Sequence, residues 1–408
     1  MQQNSIDVLN SVHFLYPKES NVERLVSHKA FVPFDELVCT FLNECSKELL
    51  SDKQAKTFPD VVTFAFFCRK ANIEKLKESY KDRLNGRLGR GITLHIAPSN
   101  VPINFAYTLV AGLLAGNRCI VRASSKDFAQ TEIICKVLDK IAERDEFFDL
   151  KNILAVVMFD HSTEIMNALS SLCDVRVVWG GDKTIAEIRQ SPMKPRATEI
   201  TFADRYSFAV FDAEYVGAQG DEDLKKIAQS FFNDTYLYDQ NACSSPRFIV
   251  WHGKKEQCSI AKEKFWSAVH ENVSSKYNLP PILAVDKLTT QYKCAVELES
   301  VKIEQSVDNV ITRIAINSIP QNIVEYMCAG GFYLEYETDN IDDIVPVVNN
   351  KFQTLSYLGV NPVELLTLVI QQGLSGIDRI VPVGKTADFG FIWDGYDLIE
   401  CMSRVIYV

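Results

Sequence analysis

From Gly91 onward the chain alternates short apolar runs with amphipathic segments. GITLHIAP (91–98) reads as a strand, and SNVP leads from it into an apolar helix over 103–115 that Gly116 and Asn117 close. CIVRA (119–123) is a second strand. The helix expected over 127–143 carries Ile134, Val137, Leu138 and Ile141 at i, i+3, i+4 and i+7, the period of one buried helical face. ILAVVMF (153–159), VRVVWGG (175–181) and TEITFA (198–203) are further strands, with helices over 162–172 and 182–190 between them. Strands that are apolar at nearly every position are covered on both faces, and strand–helix alternation builds a parallel sheet. The pattern predicts an α/β fold with a Rossmann-like, doubly wound block over about 90–205. A second α/β block opens at RYSFAVFD (205–212) and continues through a helix over 221–232 and the strand RFIVWHG (247–253) to about residue 375. The last stretch, rich in Gly and aromatics, reads as packed loop. Residues 1 to about 85 hold charged helical segments such as NIEKLKESYKDRL and no chemical motif. The expected domains are therefore 1–205 (helical region and cofactor block), 206–375 (second block) and 376–408 (a segment packing back on the first domain or on a subunit interface).

Composition narrows the class. With 408 residues, 47% hydrophobic and 24% charged, the chain matches a globular protein with a large core. A formal charge of −10 argues against nucleic acid as the main partner, since phosphate binding needs a basic surface, while leaving room for a local anion site. The least polar stretch, Val101–Gly116, is shorter than the ~20 residues a membrane span needs. No signal peptide is read at the N-terminus. The 11 cysteines are scattered without a C-x-x-C and the six histidines do not cluster, so neither a disulfide framework nor a metal site is expected, and the setting is read as reducing and cytoplasmic.

Four short stretches carry candidate chemistry. In YLYDQNACSSPRF (236–248), Cys243 stands among small polar residues, where a ligand can approach. From its neighbours alone it is a nucleophile, a metal ligand or a quiet loop thiol, and a Cys–His hydrolase stays open. The other three follow strands, where open α/β sheets bind ligands. APSNVP (97–102) offers Pro98, Ser99 and Asn100, whose amide suits an oxyanion. VRASSKD (121–127) offers Arg122, Ser124, Ser125 and Lys126, suited to phosphate or to capping a helix by Ser124, Ser125 or Asp127. WGGDK (179–183) offers Trp179, Gly180 and Gly181, whose glycines admit a dinucleotide, although G-x-G-x-x-G is absent.

Taken in order, these stretches resemble the aldehyde dehydrogenase superfamily and, within it, the bioluminescence-type (LuxC) fatty acyl-CoA reductases. HIAPSNVPINFAYTLVAGLLAGNRCIVRASSK, VVWGGDKTIAEIR, DRYSFAVFD, DQNACSSPRF and GIDRIVPVGKTADFGFIWDGYDLI carry the resemblance over about 90–408. It implies that Cys243 is the acylated nucleophile and that Asn100 and the Cys243 N–H hold the oxyanion. It also implies that Pro98, Ser99, Arg122, Ser124, Ser125, Lys126, Trp179, Gly180 and Gly181 surround a dinucleotide. Ser125 falls where NAD-preferring relatives carry a glutamate. With Arg122 and Lys126 beside it, the implied cofactor is NADPH. Hydrolytic relatives carry a Glu-Leu-Gly-Gly motif where this chain reads EITFADRYSF, with Glu199 out of register. Without that base an acyl-enzyme survives to accept hydride. The implied reaction is NADPH-dependent reduction of an acyl-CoA, of fatty type, to the aldehyde. A hydride-free acyltransferase or thioesterase and a non-catalytic subunit of an acyl-processing complex are the alternatives. An acyl-protein synthetase and a homo-oligomer are implied as possible partners, and Glu335 and Glu325 both remain open as the nicotinamide-ribose glutamate.

Overall fold

A computed structural model describes Val8 and residues 12–17, 22–98 and 101–408. The chain forms two compact units, Met1–Ala203 with Phe391–Val408, and Asp204–Gly390.

The sheet of the first unit contains β1 (His13–Tyr16), β3 (Ile92–Ile96), β4 (Arg118–Arg122), β5 (Leu154–Met158), β6 (Val175–Trp179) and β7 (Thr198–Phe202). Between β1 and β3 lies the short β2 (Arg87–Gly89). The order is β1-β5-β4-β3-β6-β7, parallel except for β1, which runs antiparallel against β5. The chain winds from β3 to β4 and β5 on one side, then returns to add β6 and β7 on the other. This is the doubly wound pattern, and it places the reversal of strand order between β3 and β6.

Alternate residues of these strands face two layers. Leu94, Ile96, Ile120, Val157 and Val178 join Met166 and Leu169 of the helix Thr163–Leu172 in one core. That helix is capped by Ser162, whose side chain accepts from the Ile165 N–H. On the opposite face lies the helix Asn104–Leu114, apolar around nearly its whole circumference and buried accordingly.

Three helices of the N-terminal region, Glu36–Ser51, Pro59–Phe67 and Lys70–Tyr80, belong to this unit. A last short strand, Ser403–Val405, rejoins it by pairing antiparallel with β2.

The second unit holds β8 (Tyr206–Asp212), β9 (Pro246–His252), β10 (Lys302–Ile303), β11 (Thr312–Ile316), β12 (Phe332–Thr338), β13 (Phe352–Leu358) and β14 (Arg379–Pro382). Their order is β10-β11-β12-β9-β8-β13-β14, parallel except for β10. Phe208 and Val210 of β8 enter one core while Ala209 and Phe211 enter the other, so both faces are covered. Residues 376–390, read from sequence as part of a tail, run with this unit and supply its edge strand β14.

Candidate active site

Cys243 lies in the turn between a short 3-10 segment, Tyr236–Tyr238, and β9, at the amino end of the second sheet. The loop gets its shape from backbone conformations that most residues avoid: Asp239 and Gln240 both have positive φ, 52° and 61°. Two anchors hold them there. The buried Gln240 amide donates to the carbonyls of Pro246 (2.9 Å) and Phe332 (3.1 Å) and accepts from the N–H groups of Gly331 and Phe332 (3.0 Å each). All four of its hydrogen-bonding positions are thereby used. The buried Arg247 guanidinium donates to the carbonyls of Gln240 (2.6 Å), Ala242 (3.3 Å) and Ser245 (3.3 Å). Burial lowers the Arg247 pKa, and Tyr206, Cys243 and Cys328 oppose that shift. A guanidinium stays protonated in proteins, so a positive charge sits under the cysteine turn.

The partner loop is equally constrained. Gly331 has φ +81°, and a Cβ there would stand 2.2 Å from the Val310 carbonyl oxygen. Only glycine fits. The Gly330 N–H donates to the Asp239 carbonyl at 2.9 Å, and the buried Lys287 ammonium donates to the carbonyls of Gly330 (2.8 Å) and Asn309 (2.6 Å).

Cys243 is gripped at both ends. The Ser207 hydroxyl donates to its carbonyl at 2.7 Å, and the Gln353 side-chain amide donates to its sulfur at 3.3 Å. The Thr354 N–H donates to the Ser207 Oγ at 3.2 Å, and the Thr354 hydroxyl to the Gln353 Oε1 at 3.3 Å. Pairing is irregular here: β8 shifts register against β9 between Ser207 and Phe208, and β13 shifts against β8 between Phe352 and Leu355. Such irregularities re-aim side chains beside functional sites. Cys243 is partly exposed, whereas burial pushes the thiols of Cys258 and Cys294 in the same unit up to about 11.

The first unit carries the other predicted residues. Ser99 and Asn100 lie outside the described residues. Pro98 follows β3 and is partly exposed, as are Gly180 and Gly181 after β6, so these flank the reversal of strand order. Trp179 is a strut: its ring stacks on Phe202 at 3.7 Å and its indole N–H donates to Thr108 (3.2 Å). Arg122 donates to the Phe159 carbonyl at 3.1 Å and lies over the Phe159 ring; burial lowers its pKa, with Asp160 opposing. Ser125 and Lys126 are exposed, and Ser124 accepts from the Lys126 N–H at 3.1 Å. None of Ser124, Ser125 or Asp127 caps the following helix, which starts later, at Ala129, with no side-chain cap. A dinucleotide fits this residue set: small partly exposed residues at the switch point, and a hydroxyl and an ammonium without a carboxylate between 122 and 126.

Three glutamates are accounted for. Glu199 accepts from Arg176 (2.9 Å) and Arg189 (2.6 Å). Glu335 is fully buried and accepts from Trp251 (2.8 Å), Trp266 (2.7 Å) and Arg313 (3.0 Å), so its oxygens are used inside the second unit. Glu325 is exposed beside Asn322. Among the described residues no cluster of three or more His, Cys, Asp or Glu is suited to a metal, and no helix is long and apolar enough to cross a membrane.

Gln240, Arg247, Ser207 and Gln353 escaped the sequence reading. Gln353 stands 110 positions from Cys243 and carries no local signal.

Residues 71–405 match the acyl-CoA reductase (LuxC) family. The chain belongs to that family. The LuxC-family chain is 26% identical over 323 residues to a long-chain acyl-protein thioester reductase of Photorhabdus laumondii subsp. laumondii, an alignment covering 78% of this chain and 63% of the relative. It is 28% identical over 328 residues to the protein of the same name from Photorhabdus luminescens, with the same coverages. The aligned region thus spans under two thirds of these relatives. Among solved structures it is similar to aldehyde dehydrogenase 21 from Physcomitrella patens, with TM-score 0.68, 12% identity, and coverage of 94% of this chain and 89% of the other. A NAD-dependent benzaldehyde dehydrogenase from Corynebacterium glutamicum gives TM-score 0.61 at 11% identity, covering 94% and 86%. The LuxC-family chain has the aldehyde dehydrogenase fold.

Proposed function

We propose that this chain reduces an acyl thioester to the aldehyde through an S-acyl intermediate on Cys243, using NADPH. What supports the reading is Cys243 itself: a partly exposed thiol in a rigid turn, above a buried guanidinium, in a chain of the acyl-CoA reductase family.

The Cys243 thiolate attacks the thioester carbonyl, and the Cys243 N–H with Asn100 is the proposed oxyanion pair. The bond to the donor's sulfur breaks, the donor thiol leaves, and the acyl group stays on Cys243. The strand ends of the first unit would hold a nicotinamide cofactor, which would supply a hydride to the acyl carbon. The resulting thiohemiacetal collapses to aldehyde and frees the thiol. Pro98, Ser99, Gly180 and Gly181 are proposed around the dinucleotide, and Arg122, Ser124, Ser125 and Lys126 at its adenosine end; Trp179 braces the Gly180 turn. Glu199, tied to two arginines, is poorly suited to activate water, which favours reduction over hydrolysis.

The sequence favours CoA as the acyl carrier and leaves delivery by an acyl-protein synthetase open. The relatives' names put a long-chain acyl group on a protein, so a protein-borne thioester joins acyl-CoA as a proposed donor, with an acyl-protein synthetase as the proposed supplier.

Cys243→Ala should abolish S-acylation by a radiolabelled acyl thioester and lower aldehyde formation by roughly 10⁴-fold or more. Acylation that persists in the variant overturns the nucleophile. Turnover of thioester by the wild type without NADPH consumption overturns the reduction.

A further inference from the structure

We propose that Gln353 is a further catalytic residue, whose side-chain N–H activates the Cys243 sulfur without providing a base. The proposal rests on reading Cys243 as the nucleophile.

The geometry is specific. Gln353 is fully buried on β13, and its Nε2 stands 3.3 Å from Cys243 Sγ. The Thr354 hydroxyl donates to the Gln353 Oε1, while the amide nitrogen faces the sulfur. The same Thr354 binds Ser207 through its N–H, and Ser207 binds the Cys243 carbonyl. Cys243, Gln353, Thr354 and Ser207 thus form a closed circuit across β8, β13 and the turn before β9. The register shift between Phe352 and Leu355 falls on Gln353 and Thr354. A regular strand would alternate these side chains strictly across the sheet.

The chemistry follows from the donor type. An N–H directed at sulfur stabilises the thiolate over the thiol. A histidine in this position would also do so, but as a base it would then activate water against the acyl-enzyme. An amide cannot accept that proton. Gln353 therefore favours attack on a thioester while leaving the S-acyl intermediate for hydride. Among the described residues, the charged and titratable groups packed on this side include Arg247 of β9 and, acting on Arg247, Tyr206 of β8 and Cys328 of the loop before β12. Ser207 and Thr354 are neutral.

The test is the pH profile of Cys243 alkylation by iodoacetamide in the full chain, read by mass spectrometry on the peptide that contains Cys243. Gln353→Met keeps the volume and removes the donor. It should move the alkylation midpoint up by about one pH unit and slow the reaction at neutral pH by about tenfold. Thr354→Val should shift the midpoint in the same direction by less. A wild-type midpoint in folded Gln353→Met overturns the proposal. If that variant does not fold, Gln353→Leu, which also removes the donor without adding a charge, decides: a raised midpoint supports the role and an unchanged one overturns it. Alkylation needs no acyl substrate, so this outcome is separate from that of Cys243→Ala, whose retained aldehyde formation would sink the nucleophile reading instead.

Discussion

Burial and hydrogen bonding pull Asp234 in opposite directions. The residue lies in the helix Asp221–Thr235 that leads to the cysteine turn, and its backbone carbonyl accepts from the Ser245 hydroxyl at 2.7 Å. Its carboxylate accepts from the N–H groups of Gly384 (2.6 Å) and Thr386 (3.0 Å). Burial dominates, and the pKa is raised to about 6 against those two bonds. Between the ordinary carboxylate value and about 6 the folded state holds a proton that the unfolded state has released. The contribution of Asp234 to stability is therefore full below the unfolded pKa and is lost as pH rises through about 6. The stability margin of wild type over Asp234→Ala should grow by about 2 kcal/mol between neutral pH and about pH 4.5. Urea unfolding of both proteins at each pH checks this, and a margin that does not change with pH refutes it. None of this is visible locally, because FFNDTYLY places Asp234 in an amphipathic helix and says nothing of residues 384–386.

At the scale of elements, close contact between the helix Asn104–Leu114 and the first sheet depends on Gly112. A Cβ there would stand 2.6 Å from the His95 Nε2 and 2.7 Å from the Cys119 sulfur. Neither neighbour is free to move. The His95 ring is fully buried between Thr108 (2.7 Å) and Thr93 (2.9 Å), and burial lowers its pKa to about 3, so it is neutral. Thr108 also accepts from the Trp179 indole, which links the helix to the end of β6. Gly112→Ala should destabilise the chain by roughly 1–3 kcal/mol through overpacking, despite the better helix propensity of alanine. A thermal midpoint at or above wild type would refute that account. The helix itself was legible as an apolar run, predicted over 103–115 and found over Asn104–Leu114. Strand β1 was not. It is an antiparallel edge strand, and its partner β5 lies far along the chain.

At the scale of the whole molecule, the proposed binding of an anionic dinucleotide by a chain of net charge −10 requires favourable charge concentrated locally. Ser125 and Lys126 are exposed at the end of β4 and fit the proposed recognition of a 2′-phosphate. Ser125→Glu should weaken NADPH binding relative to NADH by roughly tenfold or more, by placing a carboxylate against the phosphate and offering it to a ribose hydroxyl. Fluorescence titration of both cofactors measures the ratio. An unchanged ratio moves the 2′-phosphate away from residues 122–126.

The fold class followed from the order of apolar runs, because a strand buried on both faces must be apolar throughout and a crossover helix must keep one apolar stripe. The partly exposed setting of Cys243 was also written locally, in the small polar residues around it. What surrounds the sulfur was decided only by tertiary structure. Gln353, Ser207 and Arg247 reach the cysteine turn because parallel strands β8, β9 and β13 bring their amino ends together, and two register shifts turn the side chains toward it. Hydrogen bonds between residues more than a hundred positions apart, such as that from Gln353 to Cys243, leave no pattern in a single sequence. Sequence sets which surfaces must be buried, and the pairing of strands then selects the polar groups that meet.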